Sequence, residues 1–308
     1  MKDDRPFLGI LLMLGFCVLA PLGDSIAKLL GGVISIGFLV FIRFSVQAGL
    51  LLPIVLMSGK SLRLRGRVLR LTLLRTLLHI AGIGMMFTSL RFLPLADAVA
   101  IAFVMPFIML LLGHYVLGET VGRQRIVACA VGFIGTLLVI QPNFAAVGAP
   151  ALLPLGVAVV FALFMLVTRQ IAKDIDPIAL QTISGLQAAI ILLLALLLGQ
   201  DLSLLEVSRP SGNTIVLLFL LGSLGTVAHL LMTWSLRFAP AATLAPMQYL
   251  EIPFSTIIGW WIFRELPNGL AAIGICVTIV AGLYIIARER RLSRLPAHLA
   301  PEQAGQAR

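Results

Sequence analysis

Ten long apolar segments divide the chain, near 7–30, 36–57, 69–90, 95–117, 125–140, 151–172, 178–199, 214–236, 241–263 and 268–287. A membrane-crossing helix needs about 20 mostly apolar residues, and in hydrocarbon its backbone must satisfy its own hydrogen bonds. The expected fold class is therefore an all-α integral membrane protein with ten transmembrane helices. Composition points the same way. Of the 308 residues, 60% are hydrophobic and only 12% are charged, and the mean hydropathy is +1.07. Soluble domains run at about 45–50% apolar with about 25% charge. A soluble protein with a very large core fails on the charge count. The first apolar stretch is long, lacks a clear small-residue cleavage site and leads into further spans, so it reads as a first transmembrane helix.

The net charge of +10 invites a nucleic-acid partner, but the placement of the cations argues against one. Lys60, Arg63, Arg65 and Arg67 share one loop, with Arg70 just beyond. Lys2 and Arg5, Arg123 and Arg125, and Arg169 and Lys173 fall on the same side when the segments alternate. The other side carries Lys28, Arg91, Arg209 and Arg264, and its 141–150 loop has no charge. Cytoplasmic loops carry the excess of Lys and Arg. Both termini are thus expected in the cytoplasm, with the chain in the cell inner membrane. The basic tail 289–308 is expected to be disordered and to touch anionic lipid. Cys17, Cys129 and Cys276 lie in separate segments without a CxxC pair. They read as buried thiols, with no disulfide and no metal site. The expected partners are a small-molecule substrate and membrane lipid, with the chain a monomer or homodimer.

An internal repeat follows. Ser89-Leu90-Arg91-Phe92-Leu93-Pro94 closes the third segment and Ser235-Leu236-Arg237-Phe238-Ala239-Pro240 closes the eighth. The offset from Ser89 to Ser235 is 146, and it also relates Ala96 to Ala242, Gly113 to Gly259 and Glu119 to Glu265. Each half then holds five segments, 1–143 and 144–288. Five is odd, so the halves enter the membrane in opposite senses. Two inverted five-helix repeats are a signature of secondary transporters, which bind substrate near the midplane between the halves.

The ten segments, the duplicated units, the Leu117-Gly118-Glu119 and Phe263-Arg264-Glu265 helix ends and the Gly132-Phe133-Ile134-Gly135 run resemble the drug/metabolite transporter superfamily, specifically its EamA-type families. The resemblance spans roughly residues 7–287. The second unit departs from it by placing Arg264 where Gly118 stands in the first. The resemblance implies a carrier for small organic metabolites, among them amino-acid-like compounds, riboflavin and S-adenosylmethionine. It implies no direction of transport.

The chief polar anomaly is Pro246-Met247-Gln248-Tyr249-Leu250-Glu251-Ile252-Pro253-Phe254, in the ninth segment. An ionisable group inside a span is expensive and commonly marks a pathway or binding site. On a continuous helix Gln248, Glu251 and Ser255 share one side. Pro253 donates no N–H and frees a carbonyl. Glu251 reads as a substrate-binding or proton-coupling carboxylate with Gln248 and Tyr249 beside it. The competing reading is a structural partner for an Arg or His of another helix. At the repeat offset this stretch aligns with residues 100–108, where Met105-Pro106 has a proline but no acid.

Arg43 and Gln47 are four residues apart inside the second segment and share a face. Arg43 can bind an anionic substrate group, pair with Asp24 or Glu251, or reach the headgroups. His79 is a proton relay or a packing residue. Asp24 and Lys28, also four apart, form either a structural ion pair or a gate. Gly82, Gly84, Gly222 and Gly225 suit close helix approach. The chain contains no Walker A motif, so transport would draw on an ion gradient, protons above all, or on exchange. A membrane-embedded enzyme would need a metal cluster or a nucleophile–base set. A scaffold would need a sizeable soluble domain. No catalytic residue and no cofactor are expected.

Overall fold

A computed structural model describes residues 5–119, 122–140, 148–199, 203–207, 210, 212–265 and part of 269–287. Among the described residues the regular structure is entirely helical. The helices are α1 (Pro6–Leu30), α2 (Ile36–Met57), α3 (Gly66–Ser89), α4 (Leu95–Ala102), α5 (Met105–Leu117) and α6 (Arg123–Ile140). They continue with α7 (Leu153–Ile171), α8 (Pro177–Leu198), α9 (Asn213–Phe238), α10 (Ala241–Gln248) and α11 (Glu251–Phe263). With α4 and α5 taken together, seven described helices are long and apolar enough to cross a membrane. Of the other expected crossings, 125–140 is α6. The expected span 268–287 is described in part, and its described residues are helical. The tail 289–308 lies outside them altogether.

The expected continuous helices at 95–117 and 241–263 are each broken. α4 and α5 part at Phe103-Val104, and α10 and α11 part at Tyr249-Leu250. In the second break Pro253 has no N–H for the Tyr249 carbonyl four residues back. The Ile252 N–H takes that carbonyl instead, at 3.2 Å, which tightens the helix by one residue. In the first break Pro106 plays the equivalent part for Ala102, and the Phe103 N–H turns back to the Ala100 carbonyl at 3.1 Å. The four helices keep the same bounds at the 146-residue offset, from Leu95 with Ala241 to Leu117 with Phe263. The turns beyond them also match. Gly118 has φ 65 and Arg264 has φ 60, the one non-glycine in the left-handed region among the described residues.

α1 packs along α9, α2 along α8 and α3 along α7. Small residues set these approaches. A Cβ on Gly15 of α1 would lie 2.8 Å from Leu231 of α9, and one on Gly82 of α3 would lie 2.8 Å from the Phe161 ring of α7, while one on Gly222 of α9 would meet Val46 of α2. Gly84, expected to do the same, faces open space. Without a hydrophobic drive between helices in lipid, such close approach supplies much of their association. The face on which α1 begins is tied by Arg5 N–H to the Phe238 carbonyl (2.8 Å) and by Lys60 to Asp176 (2.9 Å). We call it the terminal face and the opposite one the distal face.

Asp176 caps α8, accepting from the Ile178 and Ala179 N–H groups. Partial burial pushes its carboxyl up, but the Lys60 contact and the two amides outweigh burial and hold it below the ordinary carboxylate value. A carboxyl depressed on folding adds stability above its unfolded pKa and loses it as pH falls through the folded one. Asp176→Ala is expected to cost about 0.5–2 kcal/mol, the usual range for a lost cap. Thermal unfolding in detergent across pH checks this, and the difference from wild type should shrink as pH falls below about 4.

Candidate functional site

The two helix breaks border one cavity in the bundle, with Phe103 and Met105 from the first break and Glu251 from the second in its wall. Aromatic and thioether side chains make up much of its wall: Phe16, Phe103, Phe161, Met86, Met105 and Met165. The polar groups in the wall are Asp24 from α1, His229 from α9 and Glu251 from the first residue of α11. Among the described residues neither the Asp24 nor the Glu251 carboxylate receives a hydrogen bond or an ion pair. Each lies within electrostatic range of the other, and Asp24 lies within range of Arg43. Two carboxylates turned into an apolar chamber suit a cationic ligand group or protons, since buried charge is stable only when paired.

Behind this wall sits a buried polar tier. Arg43 Nη2 lies 2.9 Å from His229 Nδ1 and 3.4 Å from His79 Nε2. A guanidinium can only donate, so His79 accepts at Nε2 and carries its proton on Nδ1. His229 Nδ1 also lies 3.0 Å from the Gly225 carbonyl. It can accept from Arg43 or donate to Gly225, not both at once. A Cβ at Gly225 would stand 3.0 Å from Arg43 Nε, so the glycine makes room for the guanidinium.

A second arginine lies on the terminal-face side of this group. Arg75 donates from Nε to Thr168 Oγ1 (2.9 Å), from Nη1 to Ser184 Oγ (2.8 Å) and from Nη2 to Thr233 Oγ1 (3.4 Å). Its guanidinium stacks 4.6 Å from the Phe164 ring centroid. Gln181 Nε2 donates to the His229 carbonyl (2.8 Å) and to Thr233 Oγ1 (3.0 Å), and Gln47 Nε2 donates to the Gln181 carbonyl (2.8 Å). These bonds join α2, α3, α7, α8 and α9 into one floor beneath the cavity.

The structure separates residues that the sequence grouped. Glu251 faces the cavity, but not as part of a stripe on one helix. The break at Tyr249-Leu250 ends that helix. Ser255 Oγ turns back to Glu251's own carbonyl (2.7 Å), and Gln248 Nε2 reaches Met165 Sδ (3.1 Å) behind the wall. The Tyr249 ring packs on Gly132, where a Cβ would stand 2.6 Å away, and its hydroxyl has no partner among the described residues. Asp24 does not pair with Lys28. Asp24 lines the cavity, while Lys28 binds Glu265 Oε1 at 2.6 Å near the distal face. Arg43 makes no ion pair with Asp24 or Glu251 among the described residues. His79 and Gln47 lie in the tier and floor rather than the wall. Arg75 and the phenylalanine wall are additional to the residues expected from the sequence, although a cation four residues before His79 inside an apolar segment is a signal for the first. The described residues hold no cluster of three His, Cys, Asp or Glu suited to a metal.

Seven described helices apolar enough to cross a membrane, with a mixed aromatic and acidic chamber inside the bundle, fit a multi-pass membrane transporter. The model of the EamA-like transporter family matches residues 7–141 and again 149–288. The chain belongs to that family. A riboflavin transporter of Rhizobium johnstonii is 30% identical over 225 residues, 73% of this chain and 72% of its own. An S-adenosylmethionine uptake transporter of Rickettsia prowazekii is 27% identical over 283 residues, 92% of this chain and 94% of its own. A solved crystal structure superposes with a TM-score of 0.70 at 19% identity, covering 93% of this chain and 98% of that one. It shares the fold.

Arg75→Lys keeps the charge but cannot reach three hydroxyls in separate directions. Each buried group left unpaired costs about 1–3 kcal/mol. The variant is expected to unfold at a clearly lower temperature than wild type in detergent, with Thr233→Val losing less. Equal unfolding temperatures for Arg75→Lys and wild type would show that the floor is not held this way.

Proposed function

We propose that the chain is a secondary transporter of a flat organic cation or zwitterion of the S-adenosylmethionine type, working by alternating access. The observation that carries this reading is the pair of carboxylates, Asp24 and Glu251, without a partner among the described residues, in a largely apolar wall that includes Phe16, Phe103 and Phe161. Aromatic faces hold planar and cationic groups, and the carboxylates supply the counter-charge. His229, Arg43 and His79 stand behind them as the positive side of the site, suited to the carboxylate of a zwitterion. Gln47, Gln248 and Tyr249 support the site from its floor and back wall. The S-adenosylmethionine relatives, matched along nearly the whole chain, favour the same class. A second reading is riboflavin, favoured by the aromatic wall and by the Rhizobium relative. It is neutral and leaves both carboxylates without a counter-charge unless they carry protons.

The same proposal includes ten crossings in two inverted halves, 1–143 and 144–288, both termini in the cytoplasm and the chain in the inner membrane. Support comes from the shared bounds of the broken helices, the two family matches and the cations of the terminal face, Lys60, Arg63, Arg65, Arg67 and Arg169. The carboxylates accept protons when the substrate leaves, which couples transport to protons or to exchange.

Proteoliposomes loaded with unlabelled S-adenosylmethionine should take up the labelled compound by counterflow without any gradient. Asp24→Asn and Glu251→Gln should each slow this roughly tenfold or more, the equivalent of one lost charge-assisted contact. Riboflavin should compete weakly. Counterflow of neither compound, or wild-type rates in both variants at every pH, would sink the proposal.

A further inference from the structure

We infer that Glu119 and Glu265, neither of which lines the cavity, are reciprocal latches that close the two ends of the transport path. α4 starts after Pro94 and α10 after Pro240, and neither N-cap residue offers a capping side chain. The missing acceptor comes from the other half in each case. The Leu95 N–H donates to Glu265 Oε2 (3.2 Å), and the Ala241 N–H donates to Glu119 Oε1 (3.1 Å). Each carboxylate also holds a cation of that other half. Lys28, two residues before the end of α1, binds Glu265 at 2.6 Å, and Arg169, two residues before the end of α7, binds Glu119 at 3.3 Å.

The arrangement is therefore crossed and repeated. A carboxylate just past a left-handed turn, at Gly118 or at Arg264, reaches over the boundary to one helix start and one cation. One latch stands at the distal face and the other at the terminal face. Parting the halves at either face must break an amide bond and an ion pair together. The other latch need not change. That makes the two carboxylates alternating closures, a role that rests on the alternating-access reading above but on no particular substrate. The latches are not equal. Arg169 also donates to the Leu236 carbonyl at 2.6 Å, whereas Lys28 sits 4.7 Å from the Phe263 ring centroid. The terminal latch thus carries an extra hydrogen bond to α9.

The test uses two thiol reporters at equivalent places, Val99→Cys in α4 and Ala245→Cys in α10, both buried in the closed structure. Each is placed singly in a Cys276→Ala background in lipid nanodiscs, where both faces meet solvent. Labelling by a small water-soluble maleimide is timed without substrate. Glu265→Gln and Lys28→Met should speed labelling of the Val99 reporter and slow that of the Ala245 reporter. Glu119→Gln and Arg169→Met should do the reverse. Each shift should be at least about fivefold, the lower end of ordinary coupling between sites. Lys28→Met leaves the Leu95 amide bonded to Glu265 and keeps the test open if Glu265→Gln folds poorly. Glu265→Asp should fall between wild type and Glu265→Gln. Shifts of one sign at both reporters, or none, overturn the latches. Opposite shifts without counterflow of S-adenosylmethionine would keep the latches and reject the substrate.

Discussion

Hydrocarbon offers a polar group no partner, and an unpaired N–H, carbonyl or cation within it costs several kcal/mol. Most of the interior follows from meeting that demand within the chain. Thr233 and Thr256 each return a hydroxyl to the carbonyl four residues back. Arg75 distributes its guanidinium over three hydroxyls from three helices, and the Tyr249 carbonyl left by Pro253 goes to the next available N–H. Asp24 and Glu251 are the ionisable groups of the cavity wall to which the described structure gives no hydrogen bond or ion pair. A group that costs so much to leave unpaired is poised to bind whatever enters the cavity.

The membrane class and the offset of 146 are legible because both are linear properties of the sequence. Hydropathy records where a span lies, and a repeat records itself. The breaks at Phe103-Val104 and Tyr249-Leu250 are less legible, since a hydropathy window cannot distinguish a straight apolar helix from a broken one. Pro106 and Pro253 were available as signals, but they mark the break only when the carbonyl four residues earlier is asked where its partner is. Lateral neighbours are not encoded by spacing at all. Asp24 and Lys28 are four apart on one helix, yet one turns into the chamber and the other to Glu265, because α11 brings a carboxylate within 2.6 Å of the lysine. Arg43 could be read as a partner for an acid. Imidazoles from α3 and α9 reach it instead.

The two halves share a frame and differ in chemistry. The broken helices coincide residue for residue at the repeat offset, but the position of Glu251 is held by Met105 in the first half. The matching acid on the facing side comes from α1, as Asp24. The proposed site is thus symmetric in backbone and asymmetric in charge. The asymmetry suits a substrate with distinct ends, a cationic one for the two carboxylates and an anionic one for the arginine-backed histidine.

The crossed caps also bear on how the protein is made. The Leu95 amide awaits a carboxylate 170 residues further along the chain. When the ribosome has delivered the first half to the membrane, the start of α4 lacks its Glu265 cap and Lys28 lacks its ion-pair partner. Neither is supplied until Glu265 emerges with the second half. The first half must therefore persist in the bilayer as an unfinished bundle, because α1, α2 and α3 find their main packing partners in α9, α8 and α7, and the last helices complete it as much as they complete their own half. Splitting the gene between the halves would yield two fragments that each lack the other's carboxylate, so reassembly rather than insertion would limit their recovery.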